Sequence, residues 1–308
     1  MTHALHVARA AISASSAPGL NLIGVSGGAD SLALAIAAAT LPGRFGAVIV
    51  DHSLQPGSAQ AAQRAGQQCR ELGLNPVLIS EVETSPDEAS ARDARYQAFD
   101  QALAQFDADT LMLAHTRDDQ AEQVLLGLVR GSGTRSLAGM PAQRGAYRRP
   151  LLELSRAQTE EICRHAGIEY WDDPSNADTG YKRNLIRHRI LPFLEQELGT
   201  HLRQALARTA NLAAADAQAL DQWAQKAKDE HGLQLPELRK LPVAVSSRVL
   251  RLGAMEAGAK NVGHERTAAL CTLAGIGQPM SKSAGPVQLD GAISAHRRRS
   301  VIVFTTTG

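Results

Sequence analysis

Apolar positions in the first two thirds of this chain alternate between short β-branched runs and Ala-rich stretches with helical spacing, and from about residue 200 to 274 only the helical spacing continues. Leu22, Ile23 and Val25 make a buried-strand run, Gly27 and Gly28 break it, and Asp30 and Ser31 open an Ala/Leu-rich helix. Further strands are predicted at 46–50, 76–80 and 109–114, with helices at 4–14, 59–72 and 87–106. In the last of these, Tyr96, Phe99, Leu103 and Phe106 fall on one stripe and predict a buried face. Strands alternating with helices of this length imply right-handed crossovers and a parallel sheet. The fold class expected is therefore α/β, with a parallel-sheet Rossmann-like domain first.

The helix after the fourth strand is expected to bury Ala121, Val124, Leu125, Leu128 and Val129, and another follows Leu154 and ends at Gly167. From about His201 the spacing predicts a long Ala-rich connector to residue 231, then helices at 236–241, 246–257 and 264–274. Val287 and Leu289, then Val301 to Phe304, predict a terminal hairpin that turns through 290–299. The domain division expected is 1–200 and 201–308, the second smaller and mainly helical.

Composition narrows the class. At 308 residues more than one domain is expected, since single cores stop growing at roughly 250–300 residues. A net charge of +1 excludes a uniformly basic nucleic-acid binder but leaves room for a local basic face. The three cysteines, Cys69, Cys163 and Cys271, lie far apart, which fits a reducing compartment and disfavours a metal or iron–sulfur site. No apolar run approaches the roughly 18–20 residues of a membrane span and no signal-peptide core is present, so a cytoplasmic protein is expected.

Candidate chemistry collects where the parallel strands end. In Ser26-Gly27-Gly28-Ala29-Asp30-Ser31 the glycines leave a helix N-terminus open to an anion, and the two serines add donors. The segment lacks the Gly-Lys-Ser/Thr of a Walker loop and does not fit Gly-x-Gly-x-x-Gly. Asp51, followed by His52, either holds a ribose or a metal or caps the next element. Arg92 and Arg95 share a helix face and either meet phosphate or stay in solvent. The run from His115 to Gln120 contains Thr116 and Asp119 in a capping pattern, while the adjacent acids Asp118 and Asp119 also suit Mg²⁺ beside a triphosphate. Arg130 to Arg135 reads as a flexible basic turn able to close over a polyanion, and Arg144, Arg148 and Arg149 follow. Tyr170 and Trp171 read as core residues or as stacking partners. Lys182, Arg183, Arg187 and Arg189 form the most basic stretch, and Arg183 and Arg187, four apart, share a helix face suited to RNA phosphate. Arg297 to Arg299 either contact RNA or protect a sheet edge.

Ser-Gly-Gly-x-Asp-Ser after a strand resembles the loop of the pyrophosphate-loop ATPases, which cleave ATP between the α and β phosphates and leave AMP. A series of further motifs is similar to those of the tRNA(Ile)-lysidine synthetases, over roughly residues 20–198. They are Ala91 to Tyr96, Asp118 to Glu122, Arg130 to Gly133, Arg149 to Leu152, and Asp173 to Arg187 with its Asp-Pro-Ser-Asn and Arg-Asn-Leu-Ile-Arg. The chain departs from many members at His115-Thr116, where they read His-His, and it stops before the additional C-terminal domain of the longer ones. The resemblance implies a ligase that uses ATP and Mg²⁺ to adenylate the wobble cytidine of an isoleucine tRNA with a CAU anticodon. The amine of free L-lysine then displaces AMP, and codon and amino-acid specificity change from methionine to isoleucine. It further implies ATP contact by Ser26 to Ser31 and Asp51, and metal held by Asp30 and Asp118. Catalytic roles are implied for Asp30, Arg92, Arg95, His115, Asp118 and Asp119, and tRNA contact for Lys182, Arg183, Arg187 and Arg189 and for the C-terminal domain. No membrane is involved, and a homodimer is possible. A tRNA 2-thiocytidine synthetase, the rival within the fold, calls for paired cysteines that are missing here, and a rival of another class is a catalytically silent nucleotide sensor or RNA-binding module.

Overall fold

The computed structural model describes residues 2–51, 57–82, 88–131, 133–277 and 285–306, so His52 and Ser132 lie outside the described residues. The chain divides into two compact units, Met1–Leu126 with Gly139–Arg208, and Gly127–Ala138 with Thr209–Gly308. A single cut near residue 200 differs from this division in the segment 127–138.

In the first unit, β1 (Leu20–Val25), β2 (Arg44–Asp51), β3 (Val77–Glu81), β4 (Thr110–Met112), β5 (Gln143–Arg144) and β6 (Tyr147–Arg148) form one sheet in the order β3-β2-β1-β4-β6-β5. All pairings are parallel except β5 with β6. The helices are α1 (His3–Ser15), α2 (Ala29–Ala39), α3 (Ser58–Glu71), α4 (Glu88–Gln105), α5 (Arg117–Val129), α6 (Thr134–Leu137) and α7 (Arg156–Ala166), α6 falling in the second unit. Alternation along the strands decides which helices cover which face. Ile23, Val25, Ala47 and Ile49 pack with α1, α2, α3 and α7, while Leu20, Leu22 and Val48 pack with Phe99 and Ala102 of α4. Because β2 and β4 flank β1, successive crossovers leave it in opposite directions, and a crevice opens at the carboxyl ends of the strands.

Two expectations need correction here. Leu128 and Val129 are 53% and 80% exposed. The apolar stripe of α5 stops at Leu126, because Ala121, Leu125 and Leu126 pack with Ile186 and Leu191 while the last turn holds Gly127, whose missing Cβ would lie 2.5 Å from the Ser136 carbonyl. The run 130–135 is not a plain turn either, since α6 begins at Thr134 and Arg135 pairs with Asp221 at 3.1 Å. The hairpin β5–β6 was not predicted, its strands being too short to show a period.

After α7 come a 3₁₀ turn (Pro174–Ala177), α8 (Lys182–Leu185), a π-helical turn (Ile186–Ile190) and α9 (Leu191–Leu198). The long helix α10 (Leu202–His231) carries the chain into the second unit, followed by α11 (Leu235–Leu238), α12 (Val243–Glu256) and α13 (His264–Ala274). Their core, with Leu235, Leu238, Val249, Leu250 and Leu270, packs against Ile293, Ala295 and Ile302 of a small sheet. That sheet, β7 (Val287–Leu289), β8 (Ile293–Arg298) and β9 (Val301–Thr306), is antiparallel in chain order. The segment 290–299 is thus a whole strand between two turns rather than one loop. Ile293 is its only large apolar residue, the buried Ser294 and Ala295 being too small to announce a strand, and Gly291, Ala292 and Arg299 take the left-handed backbone of the turns. Cys69 and Cys163 are buried and Cys271 half-buried, all as free thiols. Among the described residues no helix is long and apolar enough to cross a membrane.

Candidate active site

A cavity of about 490 Å³ lies where β1, β2 and β4 end. Ser26, Gly28, Asp30, Ser31, Asp51, Arg95 and His115 line it, together with apolar Ile49, Phe99 and Leu113. The segment after α7 contributes Trp171, Asp173, Ser175 and Asn176.

The glycine loop is built from its own residues. Gly27 has φ +82°, which a side chain rarely adopts, and its carbonyl accepts from Trp171 N at 2.9 Å. The Ser31 hydroxyl donates to Gly28 O (2.9 Å) and accepts from Ser26 N (3.1 Å), so it closes the loop. Gly28 is the N-cap of α2 and no side chain caps it, so the first N–H groups of Ala29, Asp30 and Ser31 form an anion site.

Asp30, in the first turn of α2, is the odd member of this loop. Burial pushes its carboxyl up to about 6, against a lowering by the Thr159 hydroxyl, which donates to Oδ1 at 2.5 Å. A carboxylate with so little compensation is primed to meet a cation.

His115 leaves β4 at the cavity wall. Burial pushes its imidazole well below the usual histidine range, against the raising effect of Asp119, and the charges of Arg149, Arg183 and Arg92 push the same way as burial. Its Nδ1 is buried and has no hydrogen-bond partner among the described residues.

Behind it stands a buried ionic cluster. Asp119 Oδ2 accepts from Thr116 N (2.7 Å) and the Thr116 hydroxyl (3.0 Å), the capping geometry expected from sequence. Its Oδ1 accepts from Arg183 Nη2 (2.7 Å) and Arg187 Nη2 (3.0 Å). Glu122, with no side-chain exposure, accepts from Arg183 Nε (2.8 Å) and Arg187 Nε (2.6 Å). Burial raises Asp119, but Arg183 and the other donors outweigh it and hold the acid below the usual range.

Several predicted roles change accordingly. Asp118 does not line the cavity: Oδ1 is held by Arg203 Nη1 (2.9 Å) and Oδ2 by Arg156 N (2.9 Å), so the adjacent acids point to separate partners rather than to one metal. Arg183 and Arg187 do share a face, but that face is turned onto Asp119 and Glu122, so the open basic surface expected for RNA is left to the exposed Lys182 and Arg189. Arg92 lies over the Tyr96 ring at 5.1 Å, and only Arg95 of the two lines the cavity. Tyr170 is 39% exposed and Trp171 walls the cavity, so neither is a core residue. Sequence reasoning missed Thr159 and Arg203, and it named Glu122, Trp171 and Asp173 to Asn176 without placing them at the site. Glu122 shares a helix face with Asp119 as Arg183 does with Arg187, whereas Thr159 carries no local signal.

The strand, glycine loop and uncapped helix start, with acids and an imidazole at the sheet edge, define a PP-loop protein, and the family model described as the PP-loop domain matches residues 5–194. The chain uses ATP. A U34-tRNA thiolase, NcsA from Methanococcus maripaludis, shares the fold, with a TM-score of 0.57 at 16% identity over 68% of this chain and 78% of that one. Over more than three quarters of the chain the similarity is narrower. The tRNA(Ile)-lysidine synthase of Streptomyces coelicolor is 49% identical over 79% of this chain and 75% of its own. That of Leifsonia xyli subsp. xyli is 49% identical over 77% and 76%, and that of Salinispora tropica 47% over 79% and 78%. The chain belongs to the tRNA(Ile)-lysidine synthase family.

Proposed function

We propose that this protein is a tRNA(Ile)-lysidine synthase, a ligase that forms a carbon–nitrogen bond between free L-lysine and the 2-position of the wobble cytidine in an isoleucine tRNA with a CAU anticodon. The observation that carries the reading is one cavity that joins the uncapped start of α2, Arg95 and the neutral imidazole of His115, in a chain of this family.

In the first step the cytidine 2-oxygen attacks the α-phosphate of ATP and diphosphate leaves. Negative charge grows at that phosphate, and the N–H groups of Ala29 to Ser31 with Arg95 are placed to stabilise it. Asp51, buried and also lining the cavity, suits the ribose of the nucleotide. In the second step the lysine amine attacks C2 and AMP departs with the oxygen. Free lysine is almost fully protonated at pH 7, so the amine must lose a proton before it attacks. His115, which lines the cavity and is held neutral by burial, is the residue we assign to accept it. Asp118, held by Arg203, has no part in either step.

The residues present fit Mg²⁺ as an ion shared with phosphate. Among the described residues no group of three His, Cys, Asp or Glu is assembled for a metal. Magnesium held mainly by phosphates and water needs only one or two carboxylates, and the poorly compensated Asp30 fits that need. When bound, it would supply further positive charge to the phosphates. The exposed Lys182 and Arg189, and the second unit with Arg297 to Arg299 at the end of β8, are assigned to tRNA phosphate.

Protein, ATP, lysine and bulk bacterial tRNA are incubated together and the nucleosides analysed by mass. Lysidine is expected only when ATP and lysine are both present. AMP release without a new nucleoside would move the chain to another activity of the fold, and no AMP with any tRNA or amine would favour a silent sensor.

A further inference from the structure

Thr159 lies on α7, between the segments that carry the sequence motifs, and is completely buried. Its Oγ1 stands 2.5 Å from Asp30 Oδ1 and 2.7 Å from Arg156 O. One hydroxyl has one proton, so it serves one acceptor at a time. Within a helix such a hydroxyl ordinarily serves the carbonyl three or four residues back. The carboxylate is the stronger, charge-assisted acceptor, and the bond crosses to another helix to reach it.

The rest of α7 holds this arrangement in place. Ser155 and Gln158 form a reciprocal capping box at its start, and the Arg156 N–H is fixed on Asp118 Oδ2 at 2.9 Å. One turn beyond Thr159, Cys163 Sγ donates to Ala29 O at 3.3 Å. Two successive residues at the start of α2 are therefore held from α7. With Oδ1 fixed, rotation of the Asp30 carboxylate is stopped and its second oxygen is offered in one direction.

We infer that Thr159 is a positioning residue for the nucleotide step, its hydroxyl aiming the Asp30 carboxylate at the cavity. The inference rests on the proposed ATP chemistry, because it gives Asp30 something to be aimed at. Thr159 does not line the cavity and acts through Asp30.

The test compares Thr159→Val, which keeps the shape and removes the donor, with Thr159→Ser, which keeps the donor, and with Ile162→Val, a buried apolar change on the same helix that removes no hydrogen bond. AMP formation is measured with tRNA and lysine, melting temperature for each variant, and binding of a non-hydrolysable ATP analogue by calorimetry with magnesium and with EDTA. Thr159→Val is expected to lower AMP formation by roughly ten- to a hundredfold, the scale of one hydrogen bond to a charged group. Thr159→Ser and Ile162→Val should stay within about threefold of the parent, that being the expectation for a donor kept and a cavity wall left alone. In Thr159→Val the magnesium-dependent part of analogue affinity should fall while affinity in EDTA stays unchanged. Parent-like activity of Thr159→Val, equal impairment of Thr159→Ser, or equal impairment of Ile162→Val at the same melting temperature would each overturn the inference. Should Thr159→Val not fold, Thr159→Ala against Thr159→Ser isolates the hydroxyl in the same way. If the parent protein makes no AMP, the functional reading fails, and the magnesium and EDTA binding pair still decides the link between Thr159 and Asp30.

Discussion

The starts of α2 and α5 are built alike and end up doing different things. Each follows a strand of the same sheet at its carboxyl edge, and each carries acids in its first turn, Asp30 in one and Asp118 and Asp119 in the other. The helix dipole favours a carboxylate at both places. Asp119 is then surrounded by Arg183, Arg187 and the Thr116 donors and is held below the usual range. Asp30 meets the Thr159 hydroxyl and is pushed up to about 6 by burial. An acid at a helix start is therefore not yet a functional acid. Whether the fold neutralises its charge decides, and in this molecule Asp119 is tied into an ionic cluster while Asp30 faces the cavity.

The largest effect should come from breaking the ionic cluster. Glu122 is fully buried between two guanidinium groups, so Glu122→Gln leaves positive charge in the interior without its partner. Removing one member of such a cluster costs about 3–5 kcal/mol. Urea unfolding should show a loss of that size, and a loss below about 1 kcal/mol, the scale of an exposed pair, would mean that the cluster is solvated rather than structural.

The opposite result is expected at Asp30. Its folded pKa of about 6 lies above the ordinary 3.8, so the folded state holds its proton more tightly than the unfolded chain. That contribution to stability is complete below about pH 4 and is lost as pH rises through 6. Asp30→Asn removes the loss. The variant should match the parent near pH 4 and be more stable by about 1–2 kcal/mol at pH 7.5, while AMP formation falls by roughly a hundredfold or more. Unfolding curves at both pH values, with an AMP assay, separate the two effects. A variant less stable than the parent at pH 7.5 would show that Asp30 is as well compensated as Asp119.

His115 sharpens the contrast, since it touches neither end state. His115→Gln should leave adenylation largely in place and slow transfer to lysine by about a hundredfold, the scale of one general base. Because burial keeps the imidazole neutral, no step in rate attributable to it should appear between pH 6 and 8. Accumulated adenylated tRNA, read by mass after a short incubation, checks the assignment, and equal loss of both steps would sink it.

What was legible in the sequence follows the same division between local and distant causes. The loop and α2 were readable because Gly27, Gly28 and Asp30 specify a turn and a helix start among themselves. The faces of β1 and β2 were readable from alternation, Leu22 against Ile23 and Val48 against Ile49. The partners of the acids were not. Arg183 and Arg187 were correctly placed on one helix face, but nothing near them in sequence says that Asp119 and Glu122 occupy it. Trp171 joins the site through one backbone bond to Gly27 O, and β8 was hidden because Ile293 is its only large apolar residue. Spacing gives the face of an element, and only the tertiary fold gives what that face meets.

The smallest effect should come from Asp118, which sequence alone made the partner of Asp30 at a metal. Its two oxygens are taken by Arg203 Nη1 and the Arg156 N–H, and side-chain exposure of the Arg203 pair is 20% and 16%. Asp118→Asn keeps an acceptor for the N–H and loses only the charge facing Arg203, which still has Glu195 at 3.0 Å. Stability should drop by about 1–2 kcal/mol, the scale of one hydrogen bond to a charged group. AMP formation and lysidine yield should stay within a few-fold of the parent, and the magnesium concentration for half-maximal rate should not move. A metal ligand behaves otherwise: its loss raises the magnesium requirement and lowers the rate by two orders of magnitude or more with the melting temperature unchanged. If Asp118→Asn behaves so, the side chain leaves Arg203 when substrate binds, and the two helix starts are alike in the working enzyme after all.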